Sequence, residues 1–190
     1  MKLLRKLLRA LILTTLVAGT VFIYIGLQGN AIAAPMSSLA IAQAAIQSTA
    51  AGSDLSGLVT FTPTDYGMVI EGNLSEAPQG FHGFHIHENG SCADGGSAAG
   101  GHFNPDGVKH GKLVIDGFSG AHAGDLGNII INADGDGILF QQVSGLTLTD
   151  GKYAIANRAI ILHEKMDDFG QPTGNAGGRI GCGVIQVVNP

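Results

Sequence analysis

Seven histidines, His82, His85, His87, His102, His110, His122 and His163, are the residues of this 190-residue chain best suited to chemistry, and their spacing is informative. His85 and His87 stand two apart in an apolar run. In an extended strand both rings project from one face and can reach one ion. Farther on, His102, His110, His122 and Asp125 supply three imidazoles and a carboxylate, a donor set suited to tetrahedral zinc. Taken singly, each cluster also fits half-exposed strand histidines or solvated loop histidines. Two clusters in one small domain, accompanied by Cys92 in the same stretch and His163 beyond it, favour a metal centre.

Such residues need a rigid frame, and the pattern around them is that of antiparallel strands. Short, partly alternating runs occur at 39–47, 55–62, 68–74, 81–87, 127–131, 137–142, 153–156, 158–163 and 181–188, bounded by Gly, Ser, Pro or Asp. Helical periodicity is missing. Asn132-Ala133-Asp134-Gly135-Asp136 reads as a hairpin loop. About eight evenly spaced strands predict an all-β sandwich or closed barrel. Two segments, 89–126 and 164–178, are too long for simple turns and hold most of the candidate residues.

Charge is split unevenly along the chain. Lys2, Arg5, Lys6 and Arg9 precede an apolar stretch from Ala10 to Leu27, and the small-residue run Ala31-Ile32-Ala33 follows. This is the layout of a secretory signal cleaved before Ala34, with an uncleaved N-terminal membrane anchor as the alternative. Residues 1–33 are therefore read as leader and 34–190 as the working domain. Either way the basic cluster stays inside and the domain is sent outward, to the periplasm or the extracellular space. A membrane contact is expected only if the leader is kept. Without those four cations the formal net charge moves from -5 to -9, a body that repels nucleic acid and anionic lipid. In an oxidising compartment Cys92 and Cys182 are expected to pair, rather than to be two unrelated buried thiols.

Four motifs carry a family resemblance: Gly83-Phe84-His85-Ile86-His87-Glu88, Gly101-His102-Phe103-Asn104-Pro105, Gly124-Asp125-Leu126-Gly127-Asn128 and the run from Gly174 through Arg179 to Val184. In order and spacing they resemble the copper/zinc superoxide dismutases, over residues 39 to 188. The resemblance implies an eight-stranded Greek-key β-barrel of immunoglobulin-like sandwich type with two long functional loops. It implies copper on His85, His87, His102 and His163, and zinc on His102, His110, His122 and Asp125, with His102 as a bridging imidazolate. Asp167 matches the carboxylate that orients ligands of both metals, His82 a histidine that braces the barrel, and Thr173 the position that narrows the channel. Arg179 matches the residue that holds superoxide, and His102 the proton carrier. Lys165 reads either as an aid to steering or as a solvated lysine, and Asp168 as plain surface charge. The second loop is shorter than the animal form, which lowers the expected long-range steering. Assembly is left between homodimer and monomer.

Two other functions fit parts of this pattern. A periplasmic carrier of copper or zinc would show the same ligands but has no need of Arg179 and Thr173. An adhesion sandwich has no reason to place six imidazoles and Asp125 in this order.

Overall fold

The computed structural model describes residues 40–188. Nine strands run β1 Ile41–Ser48, β2 Ser56–Thr64, β3 Gly67–Ser75, β4 Gly80–His87, β5 Asp125–Ile131, β6 Gly137–Val143, β7 Ala159–His163, β8 Arg179–Val184 and β9 Gln186–Val188. Their order is β2-β3-β6-β5-β4-β7-β8-β1-β9, and a further β1–β2 ladder closes the first eight into an antiparallel barrel. The steps from β3 to β6 and from β4 to β7 are the Greek-key crossings. The leader reading falls on residues 1–33, outside the described part of the chain. Among the described residues no helix is long and apolar enough to cross a membrane.

Alternation explains how the sequence makes a core and a site from the same strand. In β4, Phe84 and Ile86 are fully buried members of the core, so the two-residue period turns His85 and His87 to the outer wall. Those histidines are nevertheless buried, because the loop 89–126 lies over them. Burial of Phe84 and Phe61 contributes roughly 2–3 kcal/mol each to holding the wall in place. On β5 the run Ile129-Ile130-Ile131 hides its alternation. Ile129 and Ile131 face the core, whereas Ile130 is exposed beside Phe81 of β4.

Three departures from the sequence reading have local causes. Residues 153–156 form no strand: Ile155 and Ala156 donate to the carbonyls of Thr147 and Leu148, folding the segment onto its own loop. Tyr153 instead stacks on Phe118, ring centroids 3.7 Å apart. The last run breaks at Ile185, whose N–H turns to the Arg158 carbonyl and whose carbonyl accepts from Asn157, so β8 and β9 are separate. A one-turn helix α1, Leu113–Asp116, sits between His110 and His122, and its Leu113 plugs the loop into the core.

Candidate metal centre

The first loop is fastened to β4 by backbone hydrogen bonds around a single residue. Phe103 donates to the Ile86 carbonyl at 2.9 Å, Ile86 donates to the Gly124 carbonyl at 2.9 Å, and Gly124 donates to Phe103 at 3.0 Å. A β-bridge joins His102 to His87. The approach is so close that a Cβ at Gly124 would lie 2.0 Å from the Ile86 carbonyl oxygen, so only glycine fits. This fastening delivers His102 and Asp125 to the outer wall where β4 already presents His85 and His87.

Two buried sets of donor atoms result. His85, His87, His102 and His163 form one, and His102, His110, His122 and Asp125 the other, each with its atoms within 4.8 Å of one another. His102 belongs to both. Its Nδ1 lies 2.8 Å from Asp125 Oδ1 and 3.4 Å from His122 Nδ1, which leaves Nε2 for the other three histidines. In the first set His87 Nε2 and His163 Nε2 are 3.3 Å apart.

These atoms fit metal ions better than they fit each other. Nδ1 of His85 and Nδ1 of His110 are buried with no hydrogen-bond partner, a costly state unless an ion takes the lone pair. Asp125 Oδ2 does stand 2.9 Å from His110 Nδ1, but at an angle that makes no hydrogen bond, as two ligands of one ion would stand. The 3.4 Å separation of His102 Nδ1 and His122 Nδ1 matches the edge of a tetrahedron with zinc bonds of about 2.0–2.1 Å. The residues present therefore fit the two-metal arrangement.

Electrostatics do not treat the donors alike. Burial pushes the imidazoles of His87, His102 and His163 down to about 2, 4 and 3, leaving them neutral and able to coordinate. Burial also pulls His110 down, but the adjoining carboxylates of Asp125 and Asp167 outweigh it and raise the ring to about 9. For Asp125, burial would raise the carboxyl. The three histidines and the Gly111 N–H overcome this and hold it far below the usual carboxylate range. The N–H groups of Gly111 and His122 both donate to Asp125 Oδ2, at 3.0 and 2.9 Å, so the carboxylate also orders the backbone beside two neighbouring ligands.

Around the donors lies a second ring of contacts. Asp167 is buried, accepting from His85 Nε2 and His110 Nε2 at 2.9 Å each, so one carboxylate aligns a ring from either set. Gly174, at φ +76°, lies against it, and a Cβ there would come within 1.9 Å of Asp167 Oδ1. The ring nitrogens of His82 sit 2.8 Å from the carbonyls of His163 and Pro78, so it braces the backbone of a donor. Arg179 opens β8 as the register partner of His163, which sets it beside the first set. Its guanidinium donates to the carbonyls of Gly96 and Gly100. The Cys92–Cys182 disulfide ties the loop carrying those carbonyls to β8. Thr173 is exposed in the turn 171–175, and Lys165 is exposed two residues beyond His163.

Several contacts were not foreseen. The Gly100 carbonyl accepts from both Arg179 and His87 Nδ1, the latter at 3.0 Å, and nothing in a glycine's identity announces a shared acceptor. Arg158 lies 3.4 Å over the Phe103 ring and donates to the Glu88 carbonyl, pressing the chain next to His102 onto the wall. Asp168 is exposed, but it is more than surface charge: it accepts from the Gly170 N–H and from Asn175 Nδ2, stapling the second loop.

A Greek-key barrel bearing two adjoining sets of buried donor atoms that share one imidazole fits the class of two-metal β-barrel proteins. Comparison with known proteins agrees. The family described as copper/zinc superoxide dismutase (SODC) matches residues 55–185. The extracellular Cu-Zn superoxide dismutase of Caenorhabditis elegans is 39% identical over 142 residues, 71% of this chain and 62% of that protein. Those of Haemonchus contortus and Drosophila melanogaster are 40% and 43% identical, covering 70% and 69% of this chain and 74% and 75% of theirs. The crystal structure of the clock protein EA4 superposes with a TM-score of 0.71 at 32% identity, covering 82% of this chain and 99% of that one. The chain belongs to the copper/zinc superoxide dismutase family. Members of that family are oxidoreductases that use copper and zinc.

Proposed function

We propose that this chain converts two superoxide ions and two protons to oxygen and hydrogen peroxide at His85, His87, His102 and His163, with His102 handling the proton. Bound copper supplies the one-electron couple this needs, while bound zinc has no redox chemistry and serves structure and charge. The observation that carries the reading is that His102 belongs to both donor sets.

Its Nδ1 faces Asp125 and His122, so Nε2 is the nitrogen that accepts a proton and gives it up. Burial holds the His102 ring near 4, well below neutrality, so the ring is presented as a neutral imidazole. Giving that proton to the departing peroxide avoids its release as a dianion, which is general acid catalysis. Arg179 holds the incoming anion. Two of its five N–H donors are occupied by Gly96 and Gly100, which aims the guanidinium and leaves other donors for substrate. Local positive charge of this kind is what a body of net negative charge requires to attract an anion. Asp167 and Thr173 complete the assignment, the first orienting rings and the second narrowing the approach.

The test is reconstitution with copper and zinc followed by pulse radiolysis. The loaded protein is expected to dismutate superoxide with a second-order constant on the order of 10⁸–10⁹ M⁻¹s⁻¹, the range for which the family is known. A chain that holds both ions and shows no turnover would instead be a metal carrier.

The same proposal extends to the compartment. The three relatives are named extracellular, and the Cys92–Cys182 disulfide suits an oxidising environment. Residues 1–33 direct the domain outward, into the periplasm or beyond. The mass of the exported chain is expected to begin at Ala34; an intact leader on membrane-bound protein would make that segment an anchor.

A further inference from the structure

A ligand carried by a loop is only as well placed as its own backbone. His110 lies outside every strand and helix of the first loop, yet it is gripped at two places by the second. Its ring is held through Nε2 by Asp167, at 2.9 and 3.1 Å from the two carboxylate oxygens. Its peptide is held separately by Gln171. The His110 N–H donates to Gln171 Oε1 at 3.0 Å, and Gln171 Nε2 donates to the His110 carbonyl at 2.9 Å. The side-chain amide thus pairs with both backbone groups of one residue as a neighbouring strand would, satisfying donor and acceptor together.

The segment that makes both grips is itself stiff. Asp168 donates to the Gly174 carbonyl at 2.9 Å and Gly174 to the Gly170 carbonyl at 2.7 Å. The Asp168 carboxylate fastens Gly170 and Asn175 on the same turn. At its base Asn128 of β5 makes a similar fork on the backbone of Asp167, at 2.7 and 2.9 Å. A continuous chain of hydrogen bonds therefore runs from the barrel wall through the second loop to the ring and the peptide of His110. Asp167 fixes the ring at Nε2, and the second grip fixes the backbone from which the ring hangs, so together they set where the unpartnered Nδ1 points.

We propose that Gln171 is a positioning residue for the zinc side of the centre: by clamping the His110 peptide it presets Nδ1 within the set His102, His110, His122 and Asp125, and so governs zinc affinity and geometry. This rests on reading that set as the zinc site. A general role in ordering the loop is the competing account, and Asn175 separates the two, because it fastens the same turn without touching His110.

The experiment uses the full exported chain with its disulfide intact, in the parent form and as Gln171→Met, Gln171→Asn and Asn175→Gly. Zinc affinity is read by competition with a chromophoric chelator, and site geometry from the visible bands of Co(II) bound in place of zinc. Gln171→Met is expected to weaken zinc by about 10- to 100-fold, the usual cost of losing an outer partner of a ligand, and to distort the cobalt bands. Gln171→Asn is one methylene too short to reach both peptide groups and is expected to move both readouts in the same direction, should the methionine variant fold poorly. Asn175→Gly, which keeps the left-handed backbone at φ 51° without strain, is expected to change zinc affinity less than about threefold, within the range of a lost exposed hydrogen bond, and to leave the bands in place. Equal losses in the Gln171 and Asn175 variants, or parent-like zinc binding and cobalt bands in both Gln171 variants, would overturn the clamp. A parent chain that gives no tetrahedral cobalt spectrum would overturn the zinc reading beneath it.

Discussion

Replacing Arg179 by alanine is expected to lower the second-order rate constant for superoxide by about 10- to 100-fold while leaving copper and zinc content unchanged. The magnitude is that of one charge-assisted hydrogen bond, roughly 1.5–3 kcal/mol. Loss of the cation should also flatten the dependence of rate on ionic strength, since Arg179 is the cation paired in register with His163. Lysine separates the two contributions. It keeps the charge but lacks the planar fork that donates at once to Gly96 and Gly100. Arg179→Lys is therefore expected to retain the salt dependence and to recover only part of the rate. Pulse radiolysis of the three proteins across a range of salt concentrations decides the matter. Kinetics of the alanine variant equal to those of the parent would remove Arg179 from the reaction.

The features legible in the sequence are those that follow from side-chain chemistry and short-range geometry. A period of two is enough to place His85 and His87 on one face of β4, because Phe84 and Ile86 must take the other. Donor chemistry groups His102, His110, His122 and Asp125 in one stretch, and the resemblance adds His102 to the set of His85, His87 and His163; the structure gathers these donor atoms into two clusters. Illegible features act through peptide groups, which every residue carries alike. The Gly100 carbonyl that serves both His87 and Arg179, and the His110 peptide that receives Gln171, have no signature in residue type. Residues 153–156 misled for a related reason. Their alternating pattern suits a strand, but the neighbouring loop carbonyls of Thr147 and Leu148 satisfy their N–H groups first.

Removing the disulfide is expected to have the largest effect on stability and a separate effect on rate. Cys92 and Cys182 are 90 positions apart, and closing a loop of that length is worth about 4–5 kcal/mol in the chain-entropy model, an upper figure where the open chain keeps residual structure. Cys182 is buried with Ala99, Ala159 and Ile161, so the bridge also pins the stretch from Cys92 to Gly100 onto β7 and β8. That stretch holds both carbonyls that aim Arg179, and one of them steadies His87. The double variant Cys92→Ser, Cys182→Ser should thus unfold at markedly lower denaturant and, under conditions where it remains folded and loaded with both metals, turn over superoxide several-fold more slowly. Combining it with Arg179→Ala distinguishes the causes. If the bridge acts on rate through the arginine, its removal costs little further once Arg179 is gone, because the two changes share one interaction. Additive losses in the triple variant would place the kinetic effect of the bridge elsewhere in the loop.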